Sequence, residues 1–185
     1  ESIETNVGFL RRIVDDGSVA AVFCKMLPYD GTPIKETLMA QGRFNGDVCN
    51  PDYDFLDPRI ARCYEAIGRT VGEWVRGSDC VAAMINHAWH EVFVMERLFE
   101  PGADLVAYKT ALSAVTKFSN NILFSVVEEI CDGFREGGGE CQQYSGLGQI
   151  REQILATLVQ QRNRFVYENQ SWLLKGISKQ TLVTA

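Results

Sequence analysis

Hydrophobic residues recur along this chain at steps of three and four, the spacing that puts side chains on one face of an α-helix. Ile3, Val7, Leu10 and Val14 form the first such stripe, widened by Phe9 and Ile13, and Gly17 follows as a stop. Val19 to Leu27 is an apolar run ahead of Pro28 and is predicted as a second short helix. Prolines and glycines then punctuate the chain as far as Pro51, so 28–57 is predicted as a long loop with one helical turn near Ile34 to Ala40. Asp57-Pro58 restarts order, a carboxylate at the cap followed by a proline at the first helical position. The helix it opens is amphipathic through Ile60, Tyr64, Ile67 and Val71 and runs to about Trp74. Gly77-Ser78 breaks it, and Ser78 or Asp79 is expected to cap the next segment. That segment carries Val81, Ile85, Trp89, Val92 and Phe93 and is predicted as two short helices meeting near His87.

The longest pattern starts after Asp104, which is placed as its cap. Leu105, Tyr108, Leu112, Val115, Phe118, Ile122, Val126 and Ile130 keep helical spacing without a proline, and Lys109 and Lys117 are the sole charges from Leu105 to Val127. A helix so widely apolar belongs in the middle of a bundle. Residues 135–148 are rich in glycine and polar side chains and are predicted as an insertion loop. The last long helix uses Ile150, Ile154, Leu158 and Phe165 and reaches Trp172 past a polar interruption at 168–171, leaving 179–185 as a tail. The sum is one all-α domain over 1–185, a helical bundle around a central hydrophobic helical hairpin.

Charge and composition narrow the partners. Eighteen basic and 24 acidic side chains leave a net charge of −6, which argues against nucleic acid, whose affinity comes from clustered Lys and Arg. No apolar run reaches the roughly eighteen residues that a membrane span needs. The chain opens at Glu1 without a methionine or a basic-then-apolar leader, and a membrane-anchoring tail outside this chain stays an open expectation. The cysteines, Cys24, Cys49, Cys63, Cys80, Cys131 and Cys141, show no C-x-x-C spacing, so reduced and mostly buried thiols are expected rather than a zinc site. Cys141 lies in a glycine-rich polar stretch and is free to pair with a second chain, which keeps a homodimer among the expectations.

Catalytic chemistry finds little support. His87, His90 and Glu91 read H-x-x-H-E, which is not the zinc-protease order and lacks a third ligand. The run Gly137-Gly138-Gly139 is flanked by Glu136 and Glu140, which would repel a phosphate. Glu128 and Glu129 occupy consecutive positions, point apart and are expected to be solvated. Neither an enzyme, nor a metal, nor a cofactor is expected.

Three stretches, in order, resemble the Bcl-2 family of apoptosis regulators. Phe165-Val166-Tyr167-Glu168-Asn169-Gln170-Ser171-Trp172 is similar to that family's second homology motif, W-I-x-x-N-G-G-W: the aromatic, the β-branched residue, the Asn and the final Trp fall at the right offsets, and the two glycines do not. Val94 to Asp104 resembles the first homology motif, a helix ending in Leu98-Phe99 followed by a glycine-containing turn. There the family's N-W-G-R is replaced by Asp104-Leu105-Val106-Ala107, without the arginine that salt-bridges a ligand aspartate. Ile60 to Val71 looks like a degenerate BH3 helix, with Gly68 in place and Arg69 where that motif carries Asp.

The resemblance implies a Bcl-2-like domain that inhibits apoptosis by sequestering the BH3 helix of a pro-apoptotic partner in a hydrophobic surface groove. The implied walls are the 60–74 helix, the 81–99 segment and the start of the central helix. The groove candidates are Tyr64, Ile67, Val71, Met84, Val92, Met95, Leu98, Val106, Ala107 and Val115, with Arg97 or Lys109 as the charge partner. Degenerate motifs of this kind fit a viral, pro-survival member, cytoplasmic or at the mitochondrial outer membrane of its host cell. The competing expectations are a pro-apoptotic member of the same fold, a helical-bundle effector or structural protein of a virus or pathogen, and a haem-sensing bundle using His87 or His90.

Overall fold

The computed structural model describes residues 3–99, 105–136 and 144–183. Within them are seven α-helices and no β-strand, so the all-α helical bundle expected from periodicity is the fold. The helices are α1 (Ile3–Ile13), α2 (Pro33–Ala40), α3 (Pro58–Val75), α4 (Val81–Leu98), α5 (Leu105–Arg135), α6 (Leu147–Glu168) and α7 (Gln170–Val183).

α5 is the hub. It packs against α1, α3, α4 and α6, and its buried arc includes Tyr108, Leu112, Leu123, Phe124, Val127 and Ile130. α6 is the outer arm of the expected hairpin: it lies against α4, α5 and α7 and sinks only Ile154, Leu158 and Phe165 into the core. The spine is thus one long helix with a cover, because α6 has apolar residues for a single narrow stripe.

The buried face of α5 also carries Thr116, Ser119 and Asn120. Each is satisfied, and each holds a neighbour. Thr116 Oγ1 donates to the Leu112 carbonyl (2.8 Å) and accepts from the Trp89 indole of α4 at 3.2 Å. Ser119 Oγ accepts from the Trp74 indole of α3 at 3.0 Å. Asn120 holds the backbone of residues 19–21 at both ends of its amide. A polar group taken out of water must find a partner, so these bonds restrict how α3, α4 and that segment can sit.

Four local expectations are corrected. Residues 18–29 form no helix but an extended strap across α3 and α5. The bonds a helix would make internally are replaced by outside ones: Asn120 Oδ1 accepts from Ala21 N–H (2.8 Å), Asn120 Nδ2 donates to the Val19 carbonyl (2.9 Å), and Tyr64 Oη accepts from Lys25 N–H (3.0 Å). The 81–98 stretch is one continuous helix without a break at His87, and its cap is Cys80, whose Sγ accepts from Ala83 N–H at 3.3 Å. Glu128 is not simply solvated: it pairs with Arg11 of α1 at 2.7 Å, and the same guanidinium lies 4.7 Å over the Phe124 ring. The last long helix, expected to reach Trp172, is split at Asn169 into α6 and α7, and α7 continues to Val183 where 179–185 was expected as a tail. Two other expectations agree with the structure. Asp57 accepts from Arg59 N–H at the start of α3, and α2 occupies the turn expected near 34–40. The cap expected from Asp104 and the surroundings of Cys141 lie outside the described residues, as do residues 137–143 of the insertion loop.

Two glycines show opposite constraints. Gly17 has φ +70°, and a Cβ there would come within 2.5 Å of the Ser113 carbonyl of α5. Gly72, inside α3, has open space where a Cβ would go. Gly72→Ala is therefore expected to raise stability by about 0.5–1 kcal/mol through helix propensity. Gly17→Ala is expected to lower it by about 1–3 kcal/mol, since both backbone conformation and space oppose it. Equilibrium urea unfolding of the two variants checks the opposite signs.

Candidate functional site

The strap does not close fully onto the helices beneath it. Between α1, the strap and α3 lies an apolar cleft of about 450 Å³. Phe9 and Leu10 of α1 form one side, Val22, Phe23 and Met26 of the strap the other, Ile60, Tyr64 and Ile67 of α3 a third, and Val127 of α5 contributes to the lining. Phe9, Val22 and Met26 are each about half exposed. The opening reaches solvent, and part of its apolar surface is left uncovered by the core.

Tyr53 and Phe55 close one end, where the single cation of the lining, Lys25, is held. Its ammonium donates to Asp52 at 2.5 Å and to the Tyr53 carbonyl, and lies 4.4 Å and 4.9 Å from the Tyr53 and Phe55 ring centres. The hydrogen bond from Lys25, with a second from Tyr53 N–H, holds the Asp52 carboxyl below the usual range. Lys25 is thus a tethered charge whose stem extends the apolar wall. Beyond it a wider depression continues over Leu27, Tyr29, Asp54, Glu65 and Arg76. The cleft lining contains no histidine and no carboxylate, and its walls offer desolvation to apolar anchors.

Of the ten groove candidates, Tyr64 and Ile67 line this cleft. Val71, Val92 and Met95 are core, and Met84 and Val115 are partly buried against it. Leu98 (60% exposed), Val106 (73%) and Ala107 face outward at the α4–α5 end. The two candidate charge partners are also at that end: Arg97 lies 5.6 Å over the Phe93 ring, and Lys109 pairs with Glu96 at 2.8 Å. The ten residues therefore divide between two surfaces and the interior. The contributions of Val22, Lys25 and Met26 were missed, because the helix expected at 19–27 would have aimed those side chains elsewhere, and Phe9 was missed because it was read as part of the first helix's apolar stripe.

The motif stretches at the two ends of the bundle core meet. Phe99, which caps α4, packs on Trp172 of α7 (ring centres 5.1 Å apart) and lies against Gly176. Trp172 meets Phe165 edge-on at 6.5 Å, and Phe165 stacks on Tyr108 of α5 at 4.6 Å and 15°. Asn169 makes the corner: its backbone N–H and its side-chain Nδ2 both donate to the Phe165 carbonyl, and its own carbonyl accepts from Trp172 N–H. The turn uses that side-chain bond and needs no left-handed residue, since Asn169 has φ −120°.

Tyr108 is buried, and its hydroxyl has no hydrogen-bond partner among the described residues. Burial, with Glu91 adding to it and Arg162 opposing, pushes its pKa up to about 12. A folded state that holds this proton more tightly than the unfolded chain keeps its stability below pH 10 and loses it as pH rises towards 12. Tyr108→Phe keeps the stack on Phe165 and removes the unpaired group. It is expected to be neutral or stabilising by about 1 kcal/mol, with less alkaline unfolding between pH 10 and 12 in a circular-dichroism titration.

His87 and His90 are both exposed on α4, His90 stacks on Phe93 at 6.4 Å, and Glu91 accepts from Nε and Nη2 of Arg162. Among the described residues no group of three His, Cys, Asp or Glu side chains could hold a metal, and no helix is long and apolar enough to cross a membrane. Comparison with protein-family models, curated proteins and solved structures returns no match to this chain.

Proposed function

We propose that this protein captures an amphipathic helix of a partner in the cleft between α1, the strap and α3. By its motif resemblance, that helix is the BH3 segment of a pro-apoptotic protein. The observation that carries the proposal is the cleft itself: an open apolar volume of about 450 Å³, within the size range of ligand sites, bordered by exposed side chains of three separate elements. An amphipathic helix offers anchors at i, i+3 or i+4 and i+7 along one edge, and such anchors gain by leaving water for this surface.

Supporting the family assignment is the meeting of the Leu98-Phe99 stretch with Phe165–Trp172 in one aromatic cluster, as motifs with a shared structural task would require. In this reading the bound helix is withheld from its other targets and cell death is inhibited without catalysis. The anionic protein holds its cleft cation in an internal ion pair, so selectivity rests on apolar shape more than on a charge contact.

Calorimetric titration of a panel of BH3 peptides tests it. Binding with a dissociation constant tighter than about 10 µM, or about −7 kcal/mol, is the expected result for at least one peptide. Failure of every peptide to reach that affinity overturns the BH3 assignment.

A further inference from the structure

The floor of the cleft contains a cysteine with a second thiol directly behind it. Cys63 of α3 lines the cleft, and its Sγ is 3.7 Å from Sγ of Cys131 on α5. Both are buried and neither is in a disulfide. To reach a disulfide length the two sulfurs must approach by about 1.6 Å, within reach of small side-chain rotations. The other described thiols differ: Cys24 and Cys49 are exposed, and Cys80 is spent as the cap of α4.

We propose that Cys63 and Cys131 are an oxidisable pair, entered from the cleft, whose disulfide fastens α3 to α5. The oxidant class is a small hydroperoxide. The Cys63 thiolate attacks the peroxide O–O bond, forming a sulfenic acid and releasing water or an alcohol. Cys131 sulfur then attacks the Cys63 sulfur, the S–O bond breaks, and the hydroxyl leaves as water with the Cys131 proton. Two thiols lose two electrons and two protons, and the peroxide takes them.

The division of roles follows from position. Of the pair, Cys63 faces the cleft, whose lining also includes the exposed Cys24, while Cys131 is shielded behind it. The contact between the two sulfurs lets one thiol donate to the other and favours a thiolate within the pair, against burial. Cys63 is thus the attacking sulfur and Cys131 the resolving one. The cross-link joins residues 68 apart in sequence, a long loop whose closure strongly restricts the unfolded chain. The pair does not depend on what the cleft binds, so this proposal and the helix-capture proposal fail separately.

The test is hydrogen peroxide treatment of the whole chain, followed by intact mass and non-reducing peptide mapping. The expected product is lighter by about 2 Da, with a cross-linked peptide pair containing Cys63 and Cys131. Its thermal midpoint should rise by on the order of 5–10 °C and return after reduction. A variant with Cys24, Cys49 and Cys141 all changed to Ser should oxidise in the same way, and keeps the test independent of substitutions in the core. Cys131→Ser should instead gain about 16 Da at Cys63. A bond between Cys24 and any other cysteine in place of the 63–131 link, or oxidation of the exposed cysteines with Cys63 and Cys131 still free thiols by peptide mapping, overturns the proposal.

Discussion

Asn120→Leu is expected to destabilise the protein by about 2–4 kcal/mol, through two backbone groups that lose their partners at once. Asn120 is 3% exposed. Its Oδ1 receives the Ala21 N–H and its Nδ2 reaches the Val19 carbonyl, 99 and 101 positions away in sequence. Leucine fills nearly the same volume, so the effect isolates the hydrogen bonds from the packing. Each orphaned group costs about 1–3 kcal/mol if it stays buried. The strap can lower that cost by lifting into water, and lifting it removes the wall formed by Val22 and Phe23. Urea unfolding measures the first effect, and amide exchange over residues 19–25 measures the second. A loss below 1 kcal/mol with unchanged exchange would mean that apolar contacts alone hold the strap.

The second large effect is on binding. Phe9 (52% exposed) and Ile60 (37%) border the cleft without being essential to the core. Phe9→Glu and Ile60→Glu each place a carboxylate where an apolar anchor would be desolvated. Each should weaken capture of a helical peptide at least tenfold, about 1.4 kcal/mol, while stability stays within about 1 kcal/mol, as is usual at partly exposed sites. Leu98→Arg and Val106→Arg, at the far α4–α5 end, should leave affinity within twofold. Calorimetry with one peptide across all four variants decides between the surfaces. The reverse pattern would move the groove to the end where Leu98, Val106 and Ala107 face outward.

What could be read along the chain depended on whether neighbours agreed with local pattern. Asp57-Pro58 announced α3 because capping is a contact between adjacent residues. The same locality made Cys80 hard to foresee as a cap, since Ser78 and Asp79 beside it are the commoner choices. Val19 to Leu27 lacks any period that distinguishes helix from strand, and its extended form is set by Asn120 and Tyr64, which no local window contains. The candidate site suffered from a related ambiguity. Tyr64, Val71, Val92 and Leu98 all lie on apolar helix stripes, but packing puts Tyr64 at the cleft, Val71 and Val92 in the core and Leu98 in solvent.

From its sequence alone, then, this protein was bound to be helical, with a long central helix and a helix break near Gly77, because those features follow from side-chain periodicity and short-range hydrogen bonding. Tertiary structure alone decided that 18–29 runs extended, that α6 covers the hub instead of sharing it, and that the open surface lies beside α1. Periodicity specifies which face of a helix avoids water, but the element that covers that face, and the part left uncovered, are set by contacts between residues a hundred positions apart.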